Sequence, residues 1–420
     1  MSSVSGGVQQ QQGNRRTIAA SLTSTIAANL PSFLVGGLAV QMQQELHFGT
    51  AALGFAVGVF YAAGAVSSVF TGRLVEHVGA GRSLRWAAGI SGAIQLLLAG
   101  FAHSIGAVVG LLVVGGLANA WAQPASNVLL VRHVPASRLG LALGLQKSAI
   151  PAAALLGGLA VPAIALTVGW RWAFVAGAIF AFTSVLHVPS PRRAAATRTG
   201  EAGTPIRRRR EGKPDVPTRH LALLALGVGL GSAASGALST FLVLSGVRAG
   251  FGEGQAGIML TVGSIAGMGV RLLVGARADR YPGTALTAIA TMFAIASVSF
   301  VMLAAEVQWL FLIGTPLAFT TAYAWPGLFH LAVVRSNPSA PGAATGLAMT
   351  GTLTGAVLGP VVFGAIAGTG SYTAAWLTAA GTLIGAACIV TLANRFIRDP
   401  AAQSTPAKHG EVEIGIAPAG

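Results

Sequence analysis

Cysteine is almost missing from this chain: Cys388 is the single thiol among 420 residues, which excludes an internal disulfide framework. Charge is scarce as well. Only 9% of residues are Asp, Glu, Lys or Arg, against roughly a quarter in soluble domains, so a water-facing surface of ordinary kind cannot be assembled. No G-x-x-x-x-G-K-[ST] stretch occurs, which excludes transport driven by a phosphate loop of this chain's own. The glycine cluster from Gly227 to Gly231 lies inside an apolar run with no strand before it, so it is not a dinucleotide site. His330, the deepest histidine, has no partner at ligand spacing. Neither a cofactor, a metal nor an enzymatic activity is expected.

What is present is apolar surface. Hydrophobic residues make up 53% of the chain, gathered in runs of about 20, the length that crosses a hydrocarbon core of about 30 Å. Inside lipid every backbone group must find its partner within the protein, and the Gly and Ala content suits helices better than alternating strands. The fold class is therefore all-α integral membrane, with the lipid bilayer as surroundings. The 57 glycines recur at GxxxG spacing, at Gly54/Gly58, Gly140/Gly144, Gly263/Gly267, Gly342/Gly346 and Gly351/Gly355/Gly359, where helices can approach closely.

The net charge of +15 does not point to nucleic acid, because its placement is one-sided. Of the 26 Lys and Arg, 22 fall in loops and tails on one side, two on the other (Arg171 and Arg248) and two within spans (Lys147 and Arg271). This asymmetry places both termini in the cytoplasm. Residues 1–16 read as a disordered tail, residues 17–188 as six spans, and 189–219 as a basic linker with the run Arg207 to Arg210. Residues 220–394 form six more spans, and 395–420 a second disordered tail.

The two halves repeat. GRLVEHVG begins at Gly72 and GARADRYPG at Gly275, 203 residues later; Gly140 and Gly144 match Gly342 and Gly346 at an offset of 202, as does Pro124 with Pro326. Twelve transmembrane helices in two six-helix repeats follow.

On these residues the chain resembles the major facilitator superfamily, whose loop between helices two and three reads G-x-L-x-D-R-x-G-R. Here the first copy offers Gly72, Leu74, Glu76 and Gly79, with Arg73 beside them. Glu76 and His77 stand where the family has Asp and Arg. The second copy offers Gly275, Asp279, Arg280 and Gly283, with Arg277 between. The resemblance implies the major facilitator fold, alternating access, and a gating role for Gly72, Arg73, Glu76, Gly79, Gly275, Arg277, Asp279 and Arg280. GLQKSAIP from Gly144 and VGWRWAF from Val168 resemble a bacterial group that includes cyanate-type permeases. Arg271, four residues before Gly275, occupies the place of the eighth-helix arginine with which monocarboxylate transporters and oxalate/formate exchangers hold a carboxylate.

Ionisable groups at membrane depth cost about 2.5 kcal/mol or more and by default face a cavity or a partner. Arg271 and Lys147 are the two expected there, and none of the eleven Asp and Glu falls in a span. A cationic interior without a counter-acid attracts an anion. Both side chains are also long enough to snorkel to the interface, and that reading stays open. Asn119, Gln123 and Asn127 form a stripe on helix four; Asn29, Tyr61 and Tyr323 lie near mid-span. Together these predict a substrate-binding set of Arg271, Lys147, Asn29, Tyr61, Asn119, Gln123, Asn127 and Tyr323. The expected function is a monomeric secondary transporter in a bacterial-type inner membrane, moving a small organic anion such as a monocarboxylate. The alternative is an exporter of drugs or metabolites with an apolar pocket.

Overall fold

Long apolar runs without strand alternation favour the helix in lipid, and the computed structural model is helices joined by short turns over the residues it describes: 2–135, 142, 144–188, 214–280 and 283–396, with backbone alone at 2–14, 69, 72, 73, 76 and 278–280. The first half comprises α1 (Ser2–Gly37), α2 (Thr50–Val78), α3 (Ala80–Phe101), α4 (Ile105–His133), α5 (Ala149–Ala160) and α6 (Trp170–His187). The second comprises α7 (Thr218–Arg248), α8 (Glu253–Arg280), α9 (Ala285–Ala304), α10 in two pieces (Gln308–Ala322 and Pro326–Ser336), α11 (Pro341–Gly368) and α12 (Tyr372–Phe396). A short helix, Ala39–Leu46, continues α1, and residues 144–147 lead helically into α5. Eleven of these elements are long and apolar enough to span a membrane. The twelfth, α6, has 18 residues and carries Arg171 and His187 at its ends, which dilutes its hydropathy.

Several boundaries differ from expectation. The backbone of α1 is helical from Ser2, and the four glutamines Gln9 to Gln12 are fair helix formers. The charged stretch after Gly275 is not a turn, since α8 runs on to Arg280, and α2 likewise continues through Gly72 to Val78. Gly79, at φ 91°, makes the first reversal, and Gly283, at φ 84°, precedes α9, conformations that glycine adopts without a Cβ clash. Helix α5 widens into a π turn at Val161–Ala165, which contains Pro162; proline withholds a donor from the ladder. The linker residues 189–213, with the run Arg207 to Arg210, and the tail from 397 lie outside the described residues.

The two halves use the same packing. α1 packs on α4, α5 and α6, as α7 packs on α10, α11 and α12; α2 pairs with α4, as α8 pairs with α10. Within the second half, Gly351, Gly355 and Gly359 of α11 seat on the backbone of Ala225, Gly229 and Ala233 of α7, one contact per helical turn. Between halves, α2 meets α11 and α5 meets α8. With an even number of spans both termini lie at one end of the bundle, the terminal end. The halves close at the opposite, far end: Gly54 abuts Pro360 and Gly364, Gly158 abuts Gly257, and Gly36 abuts Thr240. Toward the terminal end, a Cβ on Gly144, Gly269, Gly275 or Gly346 would meet nothing within 4 Å. The bundle is therefore sealed between its halves at the far end.

Candidate functional site

Polar side chains at mid-depth gather where α4, α5, α8 and α10 face one another. Helix α8 brings Arg271 into this space, and the guanidinium is anchored by two backbone carbonyls from different halves. Its Nη1 donates to Lys147 O at 2.7 Å, and its Nη2 donates to Tyr323 O. The second acceptor exists because α10 breaks: Ala322 ends the first piece and Pro326 begins the second. Pro326 supplies no N–H to Ala322 O, which accepts from Ser235 Oγ instead, and the turn at 323–325 leaves Tyr323 O outside the helical ladder. Arg271 Nε is buried and has no acceptor among the described residues.

Lys147 comes to the same place from α5. Its Nζ donates to Gln123 Oε1 at 3.3 Å, and Gln146 Nε2 donates to the same oxygen at 3.0 Å. Gln123 thus collects two donors on one carbonyl oxygen, which has two lone pairs to offer. The two predicted cations do meet, through the Lys147 carbonyl, and both are half-buried.

The remaining predicted residues divide. Asn119 and Asn127 flank Gln123 on α4, and each keeps a buried Oδ1 without a donor among the described residues. Tyr323 is 7% exposed and stacks on Phe319 with centroids 5.2 Å apart. Tyr61 is half-buried on α2, edge-on to Phe60. Asn29 is buried, but its amide donates to Thr25 O of its own helix at 2.8 Å; it stabilises α1, and its role in the pocket is not supported by this contact. His330 bonds the Pro326 carbonyl within α10. Among the described residues no group of three metal-ligating side chains occurs.

Gln146 joins the site without having been predicted, and Trp325 stands with Tyr323 on α10 as the sequence suggests. Gln146, 1% exposed, carries a buried Oε1 without a donor; its only sequence signal is a polar residue inside an apolar run. Trp325 is 2% exposed at the break in α10, and its indole Nε1 is buried without an acceptor among the described residues. The centre thus offers one unmatched N–H donor, Arg271 Nε, and unmatched amide oxygens on Asn119, Asn127 and Gln146, while the Trp325 ring packs on Phe293 of α9 and Phe329 of α10.

The predicted gating residues occupy the terminal end. Gly72 and Gly275 lie within helices, Gly79 makes the reversal and its N–H returns to Val75 O at 2.9 Å. Arg277 is exposed. The side chains of Arg73, Glu76, Asp279 and Arg280 lie outside the described residues. At the far end, side chains reinforce the seal between halves: Gln41 Nε2 donates to Glu253 Oε2 at 3.3 Å, and Thr50 and Tyr372 hydroxyls are 3.1 Å apart.

Comparison with known proteins agrees with this architecture. The profile of the Major Facilitator Superfamily matches residues 20–313. No curated protein matches the sequence. Among solved structures, a bacterial homologue of the human lysosomal transporter Spinster, in an inward-facing and occupied conformation, superposes with a TM-score of 0.65 at 14% identity, over 93% of this chain and 98% of that one. The nucleoside transporter NupG superposes with a TM-score of 0.64 at 16% identity, over 90% of this chain and 99% of that one. At these identities the likeness is one of fold.

Proposed function

The chain belongs to the Major Facilitator Superfamily, a transporter rather than an enzyme, and on that premise we propose that it moves a small organic anion, of the monocarboxylate class, by alternating access. The observation that carries this reading is the half-buried pair Lys147 and Arg271, joined through the Lys147 carbonyl, with Arg271 Nε lacking an acceptor among the described residues. A buried donor left unmatched costs about 1–3 kcal/mol, more when charged. A carboxylate supplies acceptor oxygens and a countercharge at once. Arg271 binds the carboxylate, Lys147 adds attraction, and Trp325 and Tyr323 border the organic part. The carrier works as a monomer in a bacterial-type inner membrane, with its termini in the cytoplasm.

One observation favours a second reading. Arg271 spends two donors on carbonyls of α5 and α10, the arrangement of a clamp between halves, and the aromatic side chains beside it suit an apolar or drug-like cargo. Uptake in proteoliposomes separates the two. The first reading expects small carboxylates to be carried, with Arg271→Ala removing uptake and Arg271→Lys retaining part of it. Carriage of neutral aromatic solutes with equal loss in both variants supports the clamp instead.

A further inference from the structure

A second site, remote from the central cations, lies on the outside of the first half. A groove of about 840 Å³ opens at the terminal end between α3 and α6, with His77, Arg82 and Arg85 at its polar end. Among the described residues that line it there is no carboxylate. One turn deeper the walls become apolar: Trp86 is 50% exposed and Phe182 41% exposed, on helices that are lipid-facing at this position. Their exposure is ordinary against acyl chains. The groove floor is made by small residues. A Cβ on Gly89 would meet nothing within 4 Å, whereas one on Gly92 would lie 3.0 Å from the Phe182 ring. Phe182 therefore lies flat on α3 and leaves a trough beside it at Gly89.

The polar end is held in position. Arg85 Nη2 donates to Val188 O at 3.0 Å, tying the start of α3 to the end of α6. Trp86 stands at an interfacial depth, about 9 Å above the start of α3 at 1.5 Å per residue, and its ring packs 6.0 Å from that of Trp121. Aromatic rings at this level are the usual boundary between headgroup and acyl layers.

The internal duplication shows that this chemistry is not a packing requirement. Equivalent positions in α9 fall 203 or 204 residues on, so that Arg82 maps to Ala285 or Leu286 and Arg85 to Ala288 or Ile289. The same helix is built in the second half without either arginine. Basic grooves between membrane helices at the headgroup level fit anionic lipid heads. We propose that this groove binds an anionic phospholipid, its phosphate on Arg82, Arg85 and His77 and one acyl chain in the trough beside Trp86 and Phe182. None of these residues belongs to the substrate site proposed above, so the two readings stand or fall separately.

The test uses the full chain in nanodiscs of phosphatidylcholine containing a minor fraction of acyl-brominated phosphatidylglycerol, or of acyl-brominated phosphatidylcholine, with tryptophan quenching as readout. Phosphatidylglycerol is expected to quench at a lower mole fraction than phosphatidylcholine. The difference should vanish in Trp86→Phe and shrink about fivefold in Arg82→Gln, the factor one basic residue contributes near an anionic surface. Arg82→Lys, which keeps the charge, should retain most of it. Added inorganic phosphate should leave the quenching unchanged, because it lacks the acyl contacts. Equal quenching by both lipids, an undiminished preference in Arg82→Gln, or displacement by inorganic phosphate overturns the proposal; the last result would assign the site to a free oxyanion.

Discussion

Gly54 and Gly257 are 203 residues apart in the chain and make the same contact in the fold. Gly54 of α2 presses on the carbonyl of Pro360 in α11, and Gly257 of α8 lies so that a Cβ would sit 2.7 Å from the carbonyl of Gly158 in α5. Gly158 and Pro360 are themselves 202 residues apart. The far-end seal is thus built twice by one device, a glycine that lets backbones touch across the halves.

If that seal defines the resting state, a single methyl group at either glycine should loosen it. Gly54→Ala and Gly257→Ala are each expected to cost about 1–3 kcal/mol, the range for overpacking a tight contact. Spin labels at Gly49 and Ser371, in a background without Cys388, should report longer far-end distances in both variants. Unchanged distance distributions and unchanged melting would contradict the assignment.

Gln123 offers a sharper test of the central charge. Its Oε1 accepts from both Lys147 and Gln146, so Gln123→Ala strands two buried donors and should destabilise by about 1–3 kcal/mol. Gln123→Glu keeps the acceptor and adds a negative charge next to Lys147. That variant should stay folded yet lose most anion uptake, because the new carboxylate pairs with Lys147 and cancels one of the two interior cations. Full uptake by Gln123→Glu would argue against an anionic cargo.

How much of this was legible in the sequence follows from what carries the signal. The twelve spans and the repeat are written in run lengths and in landmarks such as Gly72 and Gly275, because lipid leaves the backbone few options. Lys147 and Arg271 were recognisable because a charge in an apolar run needs a reason. Their anchors were not: Arg271 bonds the carbonyls of Lys147 and Tyr323, and a backbone acceptor has no letter of its own. Asn29 has the composition of a pocket residue but spends its amide on Thr25 O, a choice that only the rotamer reveals. Gln146 was hidden beside Lys147, its more conspicuous neighbour. The break at Tyr323 to Trp325 depends on Pro326, whose matching proline in the first half, Pro124, sits inside a helix that remains continuous; proline alone does not specify which outcome occurs.

At the far end, Glu45 and Arg171 form an ion pair at 2.8 Å, with side chains 48% and 27% exposed. Hydrogen bonds from Arg171 are the main cause that holds the Glu45 carboxyl below its ordinary value, against an opposing effect of burial. A depressed carboxylate contributes stability above its unfolded value of about 4.3 and loses it as pH falls through the folded value. Exposed pairs are worth about 1 kcal/mol or less, so Glu45→Gln should lower stability slightly at pH 7. It should also flatten the loss of stability seen in the parent between about pH 5 and pH 3. Parallel acid titrations of parent and variant would remove this pair from the account.

The claim on which the functional reading turns is that Arg271 meets a carboxylate. Its most direct measurement is ligand-induced thermal stabilisation of the purified protein by a series of short monocarboxylates, in the parent, Arg271→Lys and Arg271→Ala. A charge-assisted hydrogen bond is worth about 1.5–3 kcal/mol, so Arg271→Ala should weaken binding at least about tenfold, with Arg271→Lys intermediate. Stabilisation of equal size and equal concentration dependence in the parent and in Arg271→Ala would contradict it.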